Sequence, residues 1–299
     1  MKKHCLIVLS ILFILAMPQI LLAGANTHYT NGIEGIKGGS VPPPGVYYKM
    51  YNVMYTADDS KDVNGNNQNI GFELDVFAVA NRFIWVTHKK FLGGDFFMDA
   101  TIPLIYTDIS IAAANISDDE FGLGDICIEP LGLAWHGQMF DAAVSQAFYL
   151  PTGSYDPLEP ASPGKGFYTS MTTVGGTLFL DQAKSWSFSV LARYEIHSDQ
   201  EDKDFTPGDD FHFEWGLGKA FAKTWEAGIA GYCQWQVSDD SGTDALNPNV
   251  HDQVYAAGPE ISVFIPKFKI FLSLRSLFEF EAQDRPEGNT TVLTLTKIF

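Results

Sequence analysis

His197, Ser198 and Asp199 set an imidazole, a hydroxyl and a carboxylate side by side, the residue types of a nucleophilic hydrolase. In a strand, neighbouring side chains point to opposite faces, which leaves His197 and Ser198 poorly placed to act together. A lipid hydrolase is therefore an alternative reading that rests on one tripeptide. Cys127 and Cys233 fall on opposite faces of their segments, so no disulfide is predicted between them. The histidines are scattered, and no metal site, cofactor or catalytic set is predicted. The remaining chemistry-bearing residues are charges on the polar side of alternating segments: Asp99, Arg193, Glu195, Glu214 and Arg275. Facing an enclosed interior they could line a path for a solute. The commoner role of such groups is to pair with one another as wall charges.

The segments that must position these charges alternate with period two. Trp186, Phe188, Val190, Ala192, Tyr194 and Ile196 interleave with Ser187, Ser189, Leu191, Arg193, Glu195 and His197. Similar runs surround Phe213, Ile229 and Leu274. They are too strictly alternating for helices and longer than ordinary soluble strands. The pattern predicts an all-β fold. Strand length, the asymmetry of the rims, the Trp positions and the terminal Phe favour an antiparallel transmembrane β-barrel of about 12 strands over a secreted soluble β-sandwich or barrel. The strands are placed at 45–57, 70–86, 95–107, 121–136, 139–150, 167–181, 185–197, 209–221, 224–237, 252–264, 268–281 and 290–299. Connectors after odd strands are long, polar and rich in acids, including 58–69, 108–120, 151–166, 198–208 and 238–251. Those after even strands are mostly tight. Arg82 breaks the phase set by Phe72, Leu74 and Val76, which predicts a bulge near Asn81. Pro103, Pro130 and Pro259 fall inside strands, where further bulges could absorb them.

Both ends fit an exported barrel. Residues 1–25 read as a signal peptide: a basic start at Lys2-Lys3, an apolar run, then small residues at Ala23-Gly24-Ala25. Residues 26–44, rich in Gly and Pro, have no strand period and form a lumen plug, a rim segment or a simple lead-in to the barrel at 45–299. At the other end Leu293, Leu295 and Phe299 share one face of a last strand, opposite Thr294 and Thr296. That pattern resembles the signal read by the barrel assembly machinery, with Lys297 as a departure that can extend its ammonium toward headgroups.

Composition narrows the class further. The chain has 299 residues, with 36 Asp and Glu against 19 Lys and Arg, a balance that makes nucleic acid an unsuitable partner. Aromatic residues make up 14% and charged residues 18%, the latter below the roughly 25% of soluble domains. Trp85, Trp135, Trp186, Trp225 and Trp235 lie near strand ends, as an interfacial girdle requires. The apolar faces are therefore expected to meet outer-membrane lipids and lipopolysaccharide in a Gram-negative cell. The lumen would then hold Glu73, Asp75, Asp99, Asp125, Glu195, Glu214, Glu226, Glu260 and Glu279, with Lys49, Arg193, His212, Lys219, Lys269 and Arg275. Twelve strands tilted near 40° give a backbone diameter of roughly 24 Å, so inward side chains leave a constricted or plugged passage.

His28-Tyr29, Gly32, Gly35, Gly38-Gly39, the stretch Pro42-Pro43-Pro44-Gly45-Val46-Tyr47, Tyr51 and Tyr55 resemble the opening of a family of outer-membrane transporters named for the meta-cleavage pathway of phenol degradation. Leu150-Pro151-Thr152-Gly153-Ser154-Tyr155 also fits that family. The resemblance spans essentially the whole mature chain. It implies an outer-membrane channel for passive uptake of small hydrophobic compounds, aromatic ones among them, and no enzyme. A structural or adhesive barrel without transport is the remaining alternative. Anionic solutes would be disfavoured at the acidic outer rim.

Overall fold

The computed structural model describes residues 27–299, so the stretch read as a signal peptide lies outside the described residues. The described residues form the strands β1 (Gly45–Ser60), β2 (Phe72–Phe91), β3 (Gly94–Ile111), β4 (Ile116–Leu123), β5 (Ile126–His136), β6 (Phe140–Leu150), β7 (Thr169–Phe179), β8 (Trp186–His197), β9 (Asp210–Phe221), β10 (Trp225–Gln236), β11 (Gln253–Ile265), β12 (Ile270–Gln283) and β13 (Pro286–Ile298). All pairings are antiparallel. β13 returns to pair with β1, Leu295 opposite Met50 and Val292 opposite Val53, and β2 pairs with β3. Twelve strands thus close into a barrel, with β4 standing outside the ring on the far half of β3. Closure leaves no open edge among the twelve, which a strand sheet in hydrocarbon requires.

The faces are inverted relative to a soluble barrel. Phe83, Trp85, Phe188, Ile229, Leu274, Phe278 and Leu293 point outward and are exposed, while Glu195, His212, Glu214, Gln234 and Arg275 are buried inside. Trp85, Trp135, Trp186 and Trp225 ring the end with short turns. At the other end Trp235 stacks with Phe211 and meets Tyr255 edge-on. Short turns and long loops segregate as expected: Gly137–Met139 and Ala222–Thr224 at one end, 151–168 and 198–209 at the other. Cys127 points in, Cys233 points out, and both are free.

Several sequence expectations are corrected. The strand placed at 121–136 is two strands, and the loop placed at 108–120 is largely a hairpin. β3 runs on to Ile111 and β4 folds back along it through a turn at Asn115. The β12–β13 connection, at the long-loop end, closes through only Asp284 and Arg285. No bulge occurs at Asn81: β2 pairs without a slip from Leu74 to Val86 with both neighbours, and its irregularity comes after Val86. The phase error has a clear cause. Near the long loops the apolar side of β2 and β3 turns inward, where Phe72, Ile109 and Ile111 pack with Ala57 and with Ala161 of the β6–β7 loop. Glu73 and Asp75 consequently face outward into solvent and leave the lumen set. Lys219 also faces out, over the Trp186 ring, and Lys269 lies exposed in the β11–β12 turn.

Prolines sit where a ladder hydrogen bond is already missing. Pro103 lies where β3 changes partner from β5 to β4. At Pro130 the register of β5 slips against β6, so Pro130 and Leu131 both face outward. Pro259 lies in a gap of the β11–β12 ladder that leaves the register unchanged.

Candidate functional site

Residues 27–44 form no strand and run inside the barrel. Gly and Pro prevent regular structure, so the backbone N–H groups of this segment need partners from the wall. Glu195 of β8 accepts from the Thr27 hydroxyl at 2.9 Å and from the N–H groups of His28 and Tyr29 at 2.8 and 3.2 Å. Glu214 of β9 accepts from the Tyr29 hydroxyl at 2.5 Å and from the Glu34 N–H at 2.9 Å. Glu260 of β11 accepts from the Ile36 N–H at 2.7 Å. In return Arg275 of β12 donates to the carbonyls of Gly32 and Ile33. Asn31 donates to Gln234, and Ser40 donates to Asp141. The segment is thus tied to the inner wall along its length.

Wall carboxylates are thus neutralised partly by main-chain dipoles and partly by cations. Arg193 pairs with Glu214 at 3.1 Å and lies 3.6 Å over the Tyr29 ring. Arg275 Nε stands 3.3 Å from Glu260. Glu34 of the plug sits between Lys49 and Arg82, accepts from Tyr51, and is joined through Arg82 to Asp99 at 2.6 Å and to Glu129 at 3.3 Å. Lys37 pairs with Glu226 at 2.7 Å near the short-turn end. A buried charge without such partners would be costly. In the β6–β7 loop, burial pushes the Lys165 ammonium below its ordinary value, against the pull of Glu195, Asp210 and Asp125.

Beside the plug a cavity of about 120 Å³ remains. Its walls are mixed: Tyr29, Tyr51, Phe97, Tyr149 and Met171 supply apolar surface, and Arg82, Asp99, Glu129 and Arg193 supply charge. Ligand pockets typically run to about 300–1,000 Å³, so this space suits a few waters or a fragment rather than an open channel. Among the described residues, no group of three or more His, Cys, Asp or Glu is arranged to hold a metal ion.

A family model described as "Putative MetA-pathway of phenol degradation" matches residues 57–295. The chain belongs to that family. The matched span includes the Leu150–Tyr155 stretch and begins after the Pro42–Tyr47 stretch. Among solved structures, an outer membrane channel from Pseudomonas putida F1 superposes with a TM-score of 0.78 at 13% identity, covering 91% of this chain and 100% of that one. The β domain of the Bordetella autotransporter BrkA gives 0.52 at 8% identity, covering 86% and 100%. Both likenesses are of fold. No curated protein matches the chain in sequence.

The five path candidates all lie on the inner wall and are buried. Glu195, Glu214 and Arg275 bind the plug directly. Arg193 binds it through the Tyr29 ring, and Asp99 reaches it through Arg82 and Glu34. Only Asp99 and Arg193 also border the cavity. Sequence reasoning missed Glu34, Arg82 and Glu129. Arg82 was hidden by the inverted phase of upper β2, and Glu34 lies in a segment without periodicity. His197 and Ser198 do not meet: His197 points inward to Asp210, while the Ser198 hydroxyl accepts from the Tyr168 N–H.

Proposed function

We propose that this chain is an outer-membrane channel for passive uptake of small hydrophobic compounds, aromatic ones included, with the N-terminal segment restricting the lumen. The observation that carries this reading is the pairing of an apolar outer surface with an inner wall whose charges hold residues 27–44 inside the barrel. Family membership and the likeness to an outer membrane channel support it. The apolar band would meet the lipids and lipopolysaccharide of a Gram-negative outer membrane. The outward Leu293, Leu295 and Phe299 would present the pattern read by the barrel assembly machinery. Lys297 lies on the same face and reaches the Phe268 carbonyl at the edge of the barrel.

The cavity described beside the segment holds about 120 Å³, so a solute larger than a fragment would pass there only if the segment shifted. Deleting residues 27–41 is expected to raise ion conductance in planar bilayers several-fold while the barrel still folds. An unchanged conductance would show that the segment does not limit the lumen. Uptake of hydrophobic carbon sources by a deletion strain tests the solute class: unimpaired growth on every such compound would refute it. A lipid hydrolase is less well supported, since its candidate His and Ser are engaged elsewhere. A barrel without transport predicts no conductance in either form.

A further inference from the structure

At the long-loop end of the lumen five polar groups form a continuous chain that the passage does not use. Asp125, in the link between β4 and β5, stands 2.9 Å from His28 Nε2. His28 Nδ1 lies 2.5 Å from the Thr169 hydroxyl at the start of β7. That hydroxyl lies 2.7 Å from Nδ1 of His197, the last residue of β8, whose Nε2 is 3.1 Å from Asp210 at the start of β9. The side chains of His28 and His197 are 3% and 0% exposed. Tyr149 stacks on the His28 ring, and Phe167 packs edge-on against both imidazoles. Little water can reach the chain to complete it.

The hydrogens can be counted. Four contacts need four hydrogens between their heavy atoms. Two ionised carboxylates supply none, two neutral imidazoles supply one each, and the hydroxyl supplies one. In that state both rings donate to their carboxylates through Nε2. Both Nδ1 atoms then turn a lone pair toward a hydroxyl that has a single hydrogen. One contact must be repulsive unless a fourth proton enters, on an imidazole or on a carboxyl. Every complete arrangement places a hydrogen on Nδ1 of one ring, donating to the Thr169 oxygen.

We propose that Asp125, His28, Thr169, His197 and Asp210 form a proton-binding site that latches the tip of the N-terminal segment to the barrel, holding it while the extra proton is bound and loosening it as pH rises. This does not depend on which solute crosses the barrel.

The surroundings set the balance. From β8, Glu195 faces His28 but is saturated by plug N–H groups and by His212 of β9, so it attracts the proton without taking it. From the β6–β7 loop, the Lys165 ammonium opposes it. On the far side of Asp210, Asp252 carries negative charge and is paired with Arg285. Burial opposes charge on the His197 ring, and Asp209 and Asp240, in the flanking loops, act in the other direction. Acids outnumber bases around the chain. Closing takes up a proton, so the latched state gains as pH falls and loses as pH rises.

The test uses the full mature barrel refolded in detergent. Nitrogen-15 histidine spectra, assigned with His→Gln variants, are expected to show one of the two rings protonated at Nδ1 at pH 7. A nitroxide on Thr30→Cys, in a Cys127→Ala, Cys233→Ala background, is expected to gain mobility about fivefold between pH 6 and pH 9, across and above the ordinary imidazole range. Asp210→Asn supplies the fourth hydrogen from its amide, so its label should stay immobile throughout. Two Nε2-protonated rings at pH 7, a label indifferent to pH, or an Asp210→Asn curve equal to that of the natural sequence would each overturn the proposal. If Asp210→Asn does not fold, Thr169→Val decides: a label mobile at every pH supports the latch, and one as immobile as the natural protein at pH 7 refutes it.

Discussion

Glu214 shows how a wall charge becomes a fastener. Its two oxygens accept from the Tyr29 hydroxyl, the Glu34 and Gly35 N–H groups and Arg193. Truncation to Ala leaves Arg193 buried without that carboxylate, and losing one member of a buried pair costs about 3–5 kcal/mol. Glu214→Ala is therefore expected to lower the denaturant midpoint of the refolded barrel and to expose the plug to protease. Glu214→Gln keeps two acceptor sites on its carbonyl oxygen and should recover part of the loss. Glycine matters at Gly35, which has a φ of +68°. A Cβ there would come within 2.1 Å of Glu260 Oε2 and 2.6 Å of Arg275 Nε. Gly35→Ala should disturb the Glu260–Arg275 pair and loosen the plug, read as a higher open probability in single-channel records.

Strands explain why those residues sit where they do. Period-two alternation in β8 to β10 put Arg193, Glu195 and Glu214 on the inner wall, and that much was legible from sequence. Upper β2 and β3 were not, because there an apolar inner face is covered by a loop. Residues 151–168 supply that cover from elsewhere in the chain, and no local periodicity reports it. β13 offers the sharpest test of which side meets lipid. Leu293 is exposed at mid-strand, beside Leu274 of β12. Leu293→Arg is expected to destabilise the barrel by about 2–4 kcal/mol in phospholipid vesicles, the cost of a cation at the bilayer midplane. A change near zero in reversible unfolding would mean that this face is wetted by water.

The whole molecule is polarised in charge along its axis. Lys89, Lys90, Lys184, Lys223, Lys267 and Lys269 cluster at the short-turn end. The long-loop end carries Asp58, Asp59, Glu73, Asp75, Asp108 and Asp119 on exposed positions. Asp75, Asp108 and Asp119 lie directly opposite one another across β2, β3 and β4. Such a field raises the local concentration of cations at that mouth. With residues 27–41 removed, permeation is expected to favour cations over anions at 0.1 M salt. The preference should shrink at 1 M, where the Debye length falls to about 3 Å. Reversal potentials under a salt gradient measure this directly. Equal cation and anion permeability at low salt would show that the outer acids do not act on the pore.

Sequence by itself determined the class of the molecule. Alternating side chains, paired rims of short and long connectors and an apolar last strand are local properties, and each is fixed by the two-residue repeat of an extended chain. It also determined that Asp99, Arg193, Glu195, Glu214 and Arg275 point inward. Tertiary structure decided what those groups do there. Glu34 meets Arg82, Thr27 meets Glu195 and Ile33 meets Arg275 only because the barrel closes around residues 27–44. That segment has no period of its own, so its position comes from the wall's demand for partners to its buried charges, a demand that exists only once the ring is complete.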